Sequence, residues 1–193
     1  MADYSLQKSK GYTIKGALNF VDYRFGKDGI EKLRDSLSDD LKKEISKGII
    51  PSDWYPFKFQ VEIYEKIDKV FGSGSFEFCK EIGKYTAEYE VSTIHKLFFK
   101  IGSPDTILKF GSLLWGRYYN KGKLEIISEE KYSATAYVKD WHPISRAFCI
   151  DLFGWMEKTL QMAGASSVYI KHSECLLDGF PHCKYEGFWK PKS

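Results

Sequence analysis

Lys123 to Trp141, KLEIISEEKYSATAYVKDW, is the stretch that decides the fold class. It alternates apolar and polar residues over two runs about a Glu-Glu-Lys turn, the period-2 pattern of an antiparallel hairpin. Downstream, about Ser145 to Ala163 reads as a helix that ends at Gly164, a natural C-cap. SSVYIKHSEC (166–175) and CKYEGFW (183–189) read as two further strands, joined through LLDGFPH, whose Asp178-Gly179 supplies the turn chemistry.

Upstream of the hairpin the periodicity is helical. Tyr12 to Tyr23 mixes β-branched and aromatic residues around Gly16, which predicts a short strand running into a helix start. Lys27 to about Lys47 places Ile30, Leu33, Leu37, Leu41 and Ile45 at helical spacing, with Ser38 able to cap a second helix. Pro51-Ser52 breaks the chain. A helix from about Pro56 to Val70 then buries Phe57, Val61, Tyr64, Ile67 and Val70. FGSGSF (71–76) has no Lys partner and no preceding strand pattern, so it reads as a helix-to-helix turn. Another helical stretch carries Phe78, Ile82, Tyr85 and Tyr89, followed by Ile94, Leu97 and Phe98. Ser103-Pro104-Asp105 is a strong helix start, and the helix it opens, to about Asn120, is apolar on more than one face. That breadth predicts burial on two sides, or the wall of a cavity. The sum is an α+β fold, a single domain of residues 1–193 with a helical part over about 12–121 and an antiparallel β-β-α-β-β unit over about 122–190.

With 43% hydrophobic and 17% aromatic residues in 193, one domain can bury a full core. Charged residues, 28% of the total, interrupt every apolar run before it nears the roughly 18 residues of a bilayer span. A net charge of +3, evenly spread, gives no basic stripe for nucleic acid. MADYSLQKSK at the start lacks the apolar region of a signal peptide, which predicts a reducing, cytoplasmic setting where disulfides are rare. There is no Walker loop, GxGxxG, HExxH or GxSxG motif, so no enzyme chemistry is expected.

Four cysteines therefore need another explanation. Cys79 stands apart. Cys149 lies in the first turns of the last helix, and Cys175 and Cys183 flank the final hairpin loop, so three thiols can converge. Convergent thiols in a reducing compartment favour Zn²⁺, which is tetrahedral and takes Cys and His ligands. His172 is the first candidate for the fourth ligand, with Glu174 and His182 behind it. On a regular strand, positions 172 and 175 face opposite ways, so the strand must bulge or end between them. Two other readings stay open: cysteines as small buried hydrophobes, and a Cys175–Cys183 disulfide. An Fe-S centre or haem on the same ligands would show as colour.

Gly164-Ala165-Ser166-Ser167-Val168-Tyr169-Ile170, Glu174-Cys175, Asp178-Gly179, Cys183 and Phe188-Trp189 resemble the closing signature of 4-vinyl reductase-type domains. Lys15-Gly16, Trp54-Tyr55-Pro56, Ser103-Pro104 and Leu114-Trp115 extend the likeness to relatives of that domain in myxobacteria. The resemblance implies the fold of the small subunits of transport-protein-particle (TRAPP) tethering complexes, a homodimer enclosing an apolar pocket, and a ligand-sensing role. In related aromatic-sensing domains a zinc is held by three Cys and one Glu; the Cys are similar to Cys149, Cys175 and Cys183, and the Glu position is occupied by His172. The expectation is a non-enzymatic sensory module that binds a small apolar or aromatic molecule, with a zinc site pinning hairpin to helix and output through a dimer or a signalling partner. Phe110, Trp115, Tyr118 and Trp155 are candidates for the pocket wall and His95 for its polar anchor. The alternative is a dimeric scaffold without a small ligand.

Overall fold

The computed structural model describes residues 3–93, 103–128 and 130–191. β1 (Lys8–Lys10) and β2 (Trp54–Pro56) pair antiparallel as a small ribbon, with Ser9 opposite Tyr55. Lys10 feeds directly into α1 (Gly11–Ser36), so the stretch expected to begin as a strand is helical. β-branched and aromatic residues favour a strand where a pleated, half-buried surface awaits them. Here Ile14, Ala17, Phe20 and Val21 instead pack as one helix face among Ile63, Ile67, Cys79 and Ile82 of the next two long helices. α1 kinks at Gly26, whose φ of 66° lies in the left-handed region open to glycine.

α2 (Asp39–Lys47) starts where Ser38 Oγ accepts the Leu41 N–H at 3.4 Å. α3 (Phe57–Phe71) buries Phe57, Val61, Tyr64 and Ile67; Val70, at its end, is 37% exposed and leaves the expected stripe. α4 (Glu77–Thr93) follows, and α5 (Pro104–Tyr118) is capped by Ser103, which accepts the Thr106 N–H. β3 (Lys123–Ile127) and β4 (Ser133–Lys139) form the expected hairpin, with Ile126 opposite Ala136. α6 (Arg146–Met162) is capped by Ser145, whose Oγ accepts the Phe148 N–H at 3.3 Å. β5 (Ala165–Glu174), one 3₁₀ turn (Leu176–Asp178) and β6 (Cys183–Pro191) complete the chain.

The larger sheet has the order β3-β4-β6-β5, antiparallel throughout. The last strand therefore inserts between β4 and β5, leaving β5 on an edge. Two apolar cores result. One fills the space among α1, α3 and α4. The other joins α5, α6 and the sheet around Trp115, Trp141, Phe148, Ile170 and Tyr185.

α4 and α6 run against each other at the seam. A Cβ on Gly83 would sit 2.0 Å from the Asp151 carbonyl oxygen, and one on Gly154 would sit 2.1 Å from that of Lys80. Neither distance is compatible with a side chain, and the atoms met are backbone. Beside this contact, Glu157 accepts from Lys80 at 2.8 Å and Lys84 at 2.7 Å, and Lys158 pairs with Glu88. Burial works against the Glu157 carboxylate, but the two ammonium groups outweigh it and hold its pKa below the usual value. Gly154→Ala should cost about 3 kcal/mol and lower the melting temperature by about 6–12 °C in thermal unfolding; an unchanged melting temperature would show that the helices can part without cost.

Candidate functional site

Four side chains, from one helix, two strands and the loop between the strands, meet at the N-terminal end of α6. Cys149 comes from its first turn, His172 from the end of β5, Cys175 from the loop after it, and Cys183 from the first position of β6. Their donor atoms all lie within 4.8 Å of one another. Cys149 Sγ is 3.9 Å from Cys175 Sγ, and Cys183 Sγ is 3.7 Å from Cys175 Sγ. A disulfide needs about 2.05 Å, so these are free thiols, and the Cys175–Cys183 bridge is not formed. A tetrahedral ion with metal–sulfur bonds of about 2.3 Å sets its sulfurs about 3.8 Å apart. The observed spacing matches that edge.

The backbone explains how His172 joins the thiols. The β5–β6 register shifts between His172 and Glu174: His172 faces Tyr185 while Glu174 faces Lys184, so Ser173 is an extra residue in β5. The strand then stops, and Cys175 caps the 3₁₀ turn. Bulge and strand end together turn 172 and 175 toward one point. The His172 ring stacks on Tyr185 with centroids 4.3 Å apart and planes 6° from parallel, and its Nε2 is buried without a hydrogen-bond partner. The imidazole shares its space with the three thiols and favours the Cys183 thiolate, so the four side chains offer one set of ligand atoms. Glu174 and His182, the other candidates, bond to each other at 2.9 Å.

The electrostatics run the same way. Hydrogen bonding among the sulfurs, with burial behind it, pushes Cys149 up. The Cys149 S–H then favours the thiolate at its neighbours: Cys183 is pulled down to about 4, with the His172 imidazole and the Leu176 N–H adding to the effect against burial. Cys175 falls to about 7. Tyr185 is fully buried, which pushes its phenol up and keeps it a neutral donor to the Cys149 carbonyl at 3.2 Å. By contrast, Cys79 lies apart on α4 among apolar residues, its thiol pushed well above the ordinary value chiefly by burial.

A second feature lies further along α6. Two apolar cavities, each of about 50 Å³, occupy the space between α5, α6 and the inner face of the sheet. Gly111, Leu124 and Trp155 border both, so they are lobes of one region. The helix-side lobe adds Thr13, Thr86, Trp115, Tyr118 and Asp151. The sheet-side lobe adds Ile107, Ala136, Met156, Thr159, Leu160 and Ile170. Thr159 is 97% buried, and its hydroxyl has no hydrogen-bond partner. Of the pocket candidates, Trp115, Tyr118 and Trp155 line these lobes, whereas Phe110 is 38% exposed and lines neither. His95 lies outside the described residues. Sequence reading missed Thr159 and Asp151, because a lone polar residue within an apolar helix gives no periodic signal.

No family profile matches the chain, and no curated protein matches it. Solved structures do. A mutant H-NOX protein from S. oneidensis in the Fe(II) state aligns with a TM-score of 0.74 at 13% identity, over 95% of this chain and 97% of that one. The Fe(II) unliganded H-NOX protein from K. algicida gives 0.72 at 15% identity, over 95% and 97%. An oxygen-binding H-NOX domain related to soluble guanylate cyclases gives 0.69 at 15% identity, over 95% and 96%. At such identities the common property is the fold, and it spans nearly the whole chain.

That finding corrects the expected assignment. The fold is that of H-NOX proteins, a helical N-terminal part with a small antiparallel sheet, and neither the 4-vinyl reductase-type identity nor the TRAPP-like arrangement of a β-β-α-β-β unit holds. The earlier likeness rested on cysteine and glycine spacing in the last hairpin, which reports a local turn and not the packing of helices around it. Zinc as the cofactor is corrected with it, since proteins of this fold are described with Fe(II), haem and porphyrin distortion. A porphyrin does not fit the described residues here: each lobe offers about 50 Å³, against the roughly 300 Å³ at which ligand and cofactor pockets begin, and the described lining contains neither imidazole nor thiol. Among the described residues, no helix is long and apolar enough to cross a membrane.

Proposed function

We propose that this chain is a non-enzymatic sensory module that binds a small molecule in the divided cavity between α5, α6 and the sheet, and passes its occupancy on through contacts with a partner protein or a second copy. The observation that carries this reading is the cavity itself: partly open apolar space, with scattered polar groups, at the junction of the helical part and the sheet. The fold supports it, since one solved member is described as an oxygen complex and another in an Fe(II)NO ligation state. The lining suits binding over group transfer, being mostly hydrocarbon and indole.

In this reading Cys149, His172, Cys175 and Cys183 form a closed structural metal site. Three sulfurs and an imidazole leave no open position for catalysis. The ion ties the start of α6 to β5 and β6, and so holds one wall of the cavity against the sheet. Metal binding there is folding free energy, because the four donors converge only in the folded chain.

Two measurements test these statements. Elemental analysis of protein purified under reducing conditions should find about one transition-metal ion per chain; Cys149→Ser or His172→Ala should weaken its retention by more than about 10–100-fold, the effect of losing a mere supporting group. Metal-free protein after reconstitution would contradict the site. For the cavity, small apolar molecules at about a hundredfold excess over Kd should raise the melting temperature by about 5–10 °C. Concentration-dependent association with no response to any ligand would favour a scaffold instead, and one-to-one haem uptake, visible by absorption, would contradict a ligand smaller than a porphyrin.

A further inference from the structure

We infer that the sheet-side lobe selects a small apolar molecule carrying one hydrogen-bond-accepting oxygen, and that the Thr159 hydroxyl donates to that oxygen. This rests on the cavity reading above and goes further, naming the ligand class and the residue that recognises it. Buried hydroxyls in folded proteins are nearly always paired, because an unpaired one loses water and gains nothing. Thr159 is 97% buried in α6, lines the lobe, and its Oγ1 has no partner. The Tyr185 hydroxyl, at the same lobe, is committed to the Cys149 carbonyl. Ile107, Ala136, Leu160 and Ile170 around Thr159 offer hydrocarbon. A valine would fill the same volume there without the polar burden, so the hydroxyl has a use beyond filling space.

The lobe also favours a small ligand. Its volume of about 50 Å³ is about a third of the 150 Å³ apolar cavity known to accept benzene, which points to a ligand of about four or five heavy atoms. Such a molecule supplies the acceptor, and its carbons meet the aliphatic wall. A site built around one buried hydrogen bond discriminates against an isosteric hydrocarbon, which leaves the hydroxyl unpaired.

Acetone and isobutene are a matched pair for this test, equal in shape and differing in the carbonyl oxygen. Amide shifts of the full ¹⁵N-labelled chain, followed during titration, should give an acetone-to-isobutene affinity ratio about tenfold higher in wild type than in Thr159→Val. Thr159→Val should retain its affinity for isobutene, and Thr159→Ser should keep the wild-type ratio. The Thr159→Val protein should also melt no lower than wild type, because it loses an unpaired buried group and no volume. The same acetone-to-isobutene ratio in wild type and Thr159→Val, or a markedly lower melting temperature for Thr159→Val, would overturn the role of Thr159 and leave the cavity reading intact. Neither probe shifting the amides of Gly111, Ala136 or Leu160 would overturn both.

Discussion

The glycine contact between α4 and α6 is the constraint on which the rest depends. Gly83 and Gly154 let the two backbones meet at distances no side chain permits, and that closeness fixes where α6 lies. Once α6 is placed, its first turn delivers Cys149 to β5 and β6, and its middle presents Trp155 and Thr159 to the sheet. Glu157, between Lys80 and Lys84, clamps the same seam from its solvent edge. Cluster and cavity are thus two consequences of one helix position.

The sulfur–imidazole cluster shows how a local irregularity creates chemistry. A regular β5 would send His172 and Cys175 to opposite faces. The extra residue Ser173 and the strand end at Glu174 bring them together, and Tyr185 holds the arrangement from behind by stacking on His172 and bonding to the Cys149 carbonyl. The His172 imidazole lies with the three sulfurs, whose 3.7–3.9 Å spacing suits the edge of a tetrahedral site as well as ordinary sulfur contact.

What was legible in the sequence was local. Ser38 and Ser103 each announce a helix start through their own side-chain oxygen, and each caps as read, whereas Ser145, read as the first residue of its helix, proves to be its cap. The Lys123–Trp141 alternation gives its hairpin because both faces of a strand are written in its period. Sheet order was not legible, since nothing in β6 itself says that it inserts between β4 and β5. Tyr12 to Tyr23 misleads for a related reason: its strand-like composition is overridden by burial against α3 and α4. The cysteine spacing pointed to four residues whose ligand atoms the fold brings within 4.8 Å of one another, and to the wrong fold family, because a hairpin with two flanking thiols is compatible with many scaffolds. Thr159 carries no sequence signal; its meaning comes from the missing partner.

The central claim is that α5, α6 and the sheet enclose apolar space open to a small molecule. Xenon, which enters dry apolar cavities, tests it most directly through diffraction from crystals held under xenon pressure. The account predicts xenon density in the two lobes bordered by Gly111, Leu124 and Trp155. Xenon bound elsewhere in the molecule, with both lobes filled by side chains, would contradict it.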